Sequence, residues 1–184
     1  MQKPLLCIAY LLASSLPSQC IAQEAKFGVL ARIGSASQSI GQANFNERDL
    51  SYTIGGIYRL NANFAGELRF DQFGTVNFGS ASDQGELSAS AFSAGAIAML
   101  PITPQANLYA KAGVAHWRSE LDDALGSTTS SGDNFYYGFG AGYRIQTATD
   151  ITLEYSAIEL DAYATYQIVD YHIGNLALGI NFYF

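Results

Sequence analysis

The sequence predicts an all-β chain folded as an eight-stranded antiparallel up-and-down transmembrane β-barrel. Three observations predict it. Almost half of the chain is hydrophobic, yet nothing beyond residue 22 approaches the roughly 18 consecutive apolar residues of a spanning helix, so the apolar surface is spread over many short elements. Those apolar residues recur with period two, which collects them on one face of each strand. The connections alternate between short and long, as when tight turns lie on one side of a membrane and loops on the other.

The chain opens on an expected export signal. Lys3 is its charged start, Leu5 to Leu16 its apolar stretch and Cys20-Ile21-Ala22 its small-residue site, with cleavage expected after Ala22. The apolar stretch is well short of the roughly 20 residues a spanning helix needs. Gln19 is larger than the small residue that lipoprotein signals carry before their cysteine, which argues against lipidation at Cys20. Cleavage would remove both cysteines, Cys7 and Cys20, leaving no disulfide and no thiolate metal site. It would leave residues 23–184 as one domain with 8 basic against 16 acidic residues, a balance that argues against nucleic acid or an anionic lipid surface as partner.

The first two candidate strands are Lys26 to Ile33 and Leu50 to Leu60. In the third, Ala65 to Phe73, Leu68 and Phe70 oppose Glu67, Arg69 and Asp71, and three ionisable groups in a row mark a wet or paired face. The fourth, Leu87 to Leu100, is rich in Ala and Ser, which leaves its facing open. In the fifth, Leu108, Ala110, Ala112 and Val114 oppose Tyr109, Lys111, Gly113 and Ala115. The sixth sets Phe135, Tyr137, Phe139, Tyr143 and Ile145 against Tyr136, Gly138, Gly140, Gly142 and Arg144. The seventh sets Ile151, Leu153 and Tyr155 against Thr152, Glu154 and Ser156. The eighth shows the pattern best, with Leu176, Leu178, Ile180, Phe182 and Phe184 opposite Asn175, Ala177, Gly179, Asn181 and Tyr183. Short connections fall at Asn61 to Asn63, Pro101 to Ala106 and Gln146 to Thr149. Long loops are expected near Gly34 to Asp49, Gly74 to Glu86, Ser119 to Asp133 and Asp161 to Tyr171, joining strands of about ten residues.

A soluble lipocalin-like barrel has the same count and period with its apolar residues turned inward. Bulk separates the two readings. The interior of eight strands has room for modest side chains, and here one face carries glycines and Ala177 while the other carries leucines and aromatics, which suits lipid outside. Tyr136, Tyr137, Tyr143, Phe182, Tyr183 and Phe184 crowd toward strand ends, where aromatic rings favour the headgroup level.

Several stretches carry a family resemblance. Leu100-Pro101-Ile102-Thr103-Pro104 leads into Leu108-Tyr109-Ala110-Lys111-Ala112-Gly113 and then Trp117-Arg118; Tyr137-Gly138-Phe139-Gly140-Ala141-Gly142-Tyr143 is followed by Leu153-Glu154-Tyr155; and the chain closes on Leu178-Gly179-Ile180-Asn181-Phe182-Tyr183-Phe184. From about Lys26 to Phe184 the chain resembles the OmpA-like and OmpX-like eight-stranded barrels of the bacterial outer membrane. The resemblance implies an interior polar network at Glu67 and Lys111, and Arg69, Asp71 and Glu154, with Arg59 and Arg144, are further groups that must pair or meet water. Ile97, Gly142 and Thr152 stand where the OmpA-type barrel carries charges, which puts a gate of exchanging ion pairs in doubt. The resemblance also implies that Phe184, with Phe182, serves as a lipid anchor and as the signal read by the outer-membrane insertion machinery. The separate peptidoglycan-binding domain of the OmpA pattern is not expected here.

No catalytic site, metal site or cofactor is expected. His116 and His172 are the only histidines, and neither spacing matches the His-x-Ser arrangement of the lipid A deacylase barrels. Glu120, Asp122, Asp123 and Asp133 lack an ordered Ca²⁺-binding motif and read as a solvated acidic loop. Three functional classes stay open: an envelope-integrity scaffold, a narrow passive pore, and a surface module binding a ligand through its loops. Eight strands exclude a wide channel. A monomer in outer-membrane lipid is expected, because a closed barrel has no edge to pair.

Overall fold

In a computed structural model, residues 26–40, 45–80, 83–123, 126–164 and 167–184 are described. The expected export signal, residues 1–22, lies outside them. The described residues form eight strands: β1 (Lys26–Ile40), β2 (Phe45–Arg59), β3 (Phe64–Ser80), β4 (Asp83–Pro101), β5 (Ala106–Asp123), β6 (Gly126–Gln146), β7 (Thr149–Ala164) and β8 (Gln167–Tyr183). Each pairs antiparallel with its sequence neighbours, and β8 closes on β1 from Gly28↔Tyr183 to Ile40↔Tyr171.

Alternation sets the facing. Leu176, Leu178, Ile180 and Phe182 on β8, and Phe135, Phe139 and Tyr143 on β6, stand outward and exposed, while Asn175, Ala177, Asn181, Tyr136 and Gly138 turn inward. The open facing of β4 resolves the same way: Ala89, Ala91, Ser93 and Ile97 point in, Phe92 and Leu100 out. A barrel that shows its large apolar side chains to the outside and buries its charges is built for lipid.

Short side-chain caps set the turns at one end. Asn61 Oδ1 accepts from the amides of Asn63 and Phe64, both at 2.8 Å, which holds the β2–β3 turn. Thr103 Oγ1 accepts from the amide of Ala106 at 2.8 Å in the β4–β5 turn. Such side-chain acceptors satisfy backbone donors the turn would otherwise orphan.

At the other end the long loops expected from sequence are corrected. Strands of 15 to 21 residues continue through most of those segments, so that β1 runs to Ile40, and residues 119–123 and 126–133 belong to the outer half of the β5–β6 hairpin. Outside lipid nothing forces an apolar residue at every second position, and a strand whose two faces both meet water reads as loop although its backbone ladder is intact.

Toward these hairpin tips the wall divides. Pairing of β2 with β3 stops at Tyr52↔Gln72, and pairing of β6 with β7 stops at Tyr136↔Ile158, while the six other lateral contacts run on. Two four-stranded lobes result, β7–β8–β1–β2 and β3–β4–β5–β6.

Candidate functional site

Two regions are candidates, the barrel lumen and the hairpin end. The lumen is filled in layers. At its middle, strands β1, β3, β5 and β7 project Arg32, Glu67, Arg69, Asp71, Lys111 and Glu154 onto one another, all nearly fully buried. Lys111 Nζ lies 2.8 Å from Glu67 Oε1 and 2.7 Å from Glu154 Oε1. The Arg69 guanidinium reaches Asp71 at 2.9 Å through Nε and Glu154 at 3.2 Å through Nη1, and Arg32 Nη2 meets Glu154 Oε2 at 3.2 Å. Tyr109 and Tyr136 donate their hydroxyls to Glu154 and Glu67, each at 3.0 Å, and Thr53 donates to Asp71 at 2.7 Å. Three cations against three carboxylates make the layer neutral, which is the condition on which ionic groups persist inside a membrane protein.

The structure therefore brings the five sequence-expected residues, Glu67, Arg69, Asp71, Lys111 and Glu154, into one cluster. Arg59 and Arg144 do not join it. They meet instead on Asp150 near the turn end, at 2.5 and 3.2 Å, with Arg59 stacked 4.0 Å above the Tyr183 ring. Sequence reasoning missed Arg32 and Asp150. Arg32 stands between the outward-facing Ala31 and Ile33, so its parity already placed it inward. Tyr136 and Tyr183 are corrections too: both were expected at the headgroup level, and both lie inside the barrel. Each has a polar partner there, Glu67 for Tyr136 and Arg59 for Tyr183, which an outward ring would forgo.

Apolar layers flank the ionic one. On the turn side Leu30, Ile57, Ile97, Tyr109 and Tyr183 pack together beside a cavity of about 20 Å³, lined also by Arg32, Arg59, Asn107, Asp150, Thr152 and Asn181, that has room for a single water but for no polyatomic solute. On the hairpin side Phe73, Trp117, Ile158 and Ile173 join four alanines in a dry plug, with Trp117 Nε1 donating to Asn134 at 2.8 Å. Polar groups thus run from the ionic layer to the turn end through Arg32, Thr152, Asn181 and the Arg59–Asp150 pair, and it is the apolar cluster on the hairpin side that interrupts the path.

The sequence of the hairpin-end segments is acidic. Residues 40–52, 74–90, 117–135 and 158–174 carry two, two, four and three acidic residues against only Arg48 and Arg118. His116 Nδ1 sits 2.8 Å from Asp133 Oδ1, both exposed, and Ser127 donates to Glu120 at 3.3 Å. His172 lies half-buried within β8, opposite Glu159 on β7 and Ser39 on β1. Among the described residues no three His, Cys, Asp or Glu side chains converge as metal ligands. At the opposite end Phe182 and Phe184 both face outward, and the Phe184 amide donates to the Phe27 carbonyl at 2.9 Å.

Comparison with known proteins gives a consistent picture. A family model for the outer membrane protein beta-barrel domain matches residues 8–184. No curated protein matches. Among solved structures, Neisserial surface protein A is similar at a TM-score of 0.70 and 19% identity, over 88% of this chain and 100% of that one. The attachment invasion locus protein Ail of Yersinia pestis, in complex with the heparin analogue sucrose octasulfate, is similar at 0.59 and 18%, over 86% and 99%. Outer membrane protein OprG of Pseudomonas aeruginosa is similar at 0.51 and 9%, over 87% and 94%. At these identities the structural likeness speaks for the fold.

Proposed function

The chain belongs to the family of outer membrane protein beta-barrel domains and sits in the bacterial outer membrane, and from that premise we propose that it is a sealed, non-catalytic barrel whose work is done at the surface by its hairpins. The carrying observation is the layered lumen. The central carboxylates and cations are held by one another, and the Phe73–Trp117–Ile158–Ile173 plug closes the surface side with side chains that water does not wet. A narrow pore would need a polar path through that plug and past the mutually held charges. The hairpins, by contrast, run on for about ten residues beyond the last β6–β7 pair, on the order of 30 Å of strand.

The partner class follows from charge. Ail is seen with a sulfated, polyanionic ligand; here eleven acidic residues against two basic ones at the hairpin end disfavour such a ligand and favour a cationic one. The barrel is proposed to act as a monomer held by lipid.

Planar-bilayer recording on the refolded barrel tests the reading. Background current is expected, and discrete open-channel steps in the unaltered protein would replace the sealed barrel with a pore. Assembly is proposed to follow the expected signals: protein extracted from outer membranes has the mass of Gln23–Phe184, and deleting Phe184 leaves more chain in the unfolded, heat-insensitive form. A retained leader, or normal assembly without Phe184, would contradict the corresponding half of that proposal.

A further inference from the structure

We propose that the turn-side cavity of the lumen binds a single monatomic anion, chloride or another halide, between Arg32 and Arg59. The cavity measures about 20 Å³, the space of one water or one monatomic ion. Its polar wall brings together Arg32 of β1, Arg59 of β2, Asp150 and Thr152 of β7 and Asn181 of β8, none more than 6% exposed.

Hydrogen bonding is the first feature that selects the occupant. Arg32 meets Glu154 and Arg59 meets Asp150 through Nη2, but Arg32 Nε and Nη1 and Arg59 Nε are buried and find no acceptor among the described residues. A guanidinium N–H can only donate, and one held away from water without an acceptor is destabilising. Thr152 Oγ1 and Asn181 Oδ1 are unmatched as well, so half of the buried side-chain atoms without a partner belong to four residues around this one cavity. The Thr152 hydroxyl can turn to donate, and the Asn181 amide presents its donor end when turned over. The wall can thus offer donors from several directions to one acceptor.

Charge is the second feature. Two guanidiniums and one carboxylate line the cavity, and that carboxylate is shared, because Arg144 Nε also reaches Asp150 at 3.2 Å. Glu154, beside Arg32, is divided in the same way among Arg32, Arg69 and Lys111. The potential inside the cavity is therefore positive, and in surroundings of low dielectric an opposite charge is attracted far more strongly than in water. A water molecule would accept the same hydrogen bonds and bring no charge, while carboxylate, phosphate and sulfate ions are too large for the space. The ion enters from the turn end, where the Arg144 side chain is 32% exposed, since the Phe73–Trp117 plug closes the other side. Once bound, it ties β1 and β2 to β7 and β8 across the seam that closes the barrel.

The test uses the full barrel refolded in lipid vesicles, with chloride replacing gluconate at constant ionic strength so that screening does not change. At a fixed urea concentration the folded-to-unfolded ratio is expected to rise about elevenfold when chloride reaches ten times its dissociation constant, as linkage requires of one site. Bromide is expected to act alike and sulfate to have no effect. Crystals grown in bromide are expected to show one anomalous peak between the Arg32 and Arg59 guanidiniums. Thr152→Asp places a carboxylate of the chain's own in the cavity wall, and the halide response and the peak are both expected to disappear. A ratio indifferent to chloride, a water at the site without anomalous signal, or a full halide response in Thr152→Asp would overturn the inference. Should that variant fail to fold, the bromide map of the unaltered protein decides alone.

Discussion

Glu154 receives Lys111, Arg69, Arg32 and Tyr109, all within 3.2 Å, and its side chain is only 2% exposed. Replacing it by glutamine keeps the volume and leaves three buried cations facing two carboxylates. Glu154→Gln is therefore expected to cost about 3–5 kcal/mol, the usual penalty for breaking a buried pair, read by urea unfolding in lipid vesicles. The double variant Glu154→Gln with Lys111→Met removes the stranded charge as well, and its loss is expected to be smaller than the sum of the two single losses. Strict additivity would deny that the two residues form one unit. At this scale the sequence was informative where ionisable groups alternate with apolar ones, as Glu67, Arg69 and Asp71 do. Which carboxylate meets which cation was not legible, because Lys111 and Glu67 are 44 positions apart and meet only across the closed lumen.

Between strands, glycine and tyrosine work as pairs. A Cβ on Gly95 of β4 would strike the Tyr136 hydroxyl, one on Gly113 of β5 would come 2.7 Å from the Tyr136 ring, and one on Gly140 of β6 would strike Tyr109. The glycines thus make room for the large rings that strand parity turns inward. Gly95→Ala is expected to destabilise the barrel by about 1–3 kcal/mol, as overpacking does, and to cost clearly less when combined with Tyr136→Ala. An equal cost in both backgrounds would place the conflict in the backbone of β5, whose Ala112 carbonyl is 2.7 Å from the same point. Strand existence and facing were readable for most elements because lipid on one side imposes period two. Strand ends were not, because beyond the lipid that constraint stops while pairing goes on.

For the whole molecule, closure by layers predicts how hard the lumen is to open. The double variant Phe73→Ala with Trp117→Ala removes the largest side chains of the surface plug, yet the ionic layer and the apolar cluster beneath it persist. No channel steps are expected from this variant, and their appearance would make the plug the only seal. The sequence by itself determined the fold class, the number of strands, the outward face and the ionisable character of the lumen, since each follows from an alternation imposed locally by lipid. The tertiary structure alone decided the pairing partners inside the barrel, among them those of Tyr136 and Tyr183, the extension of the hairpins and the division of the wall into two lobes. Those features depend on which strands lie opposite or beside one another once the sheet has closed, and local periodicity carries no record of that.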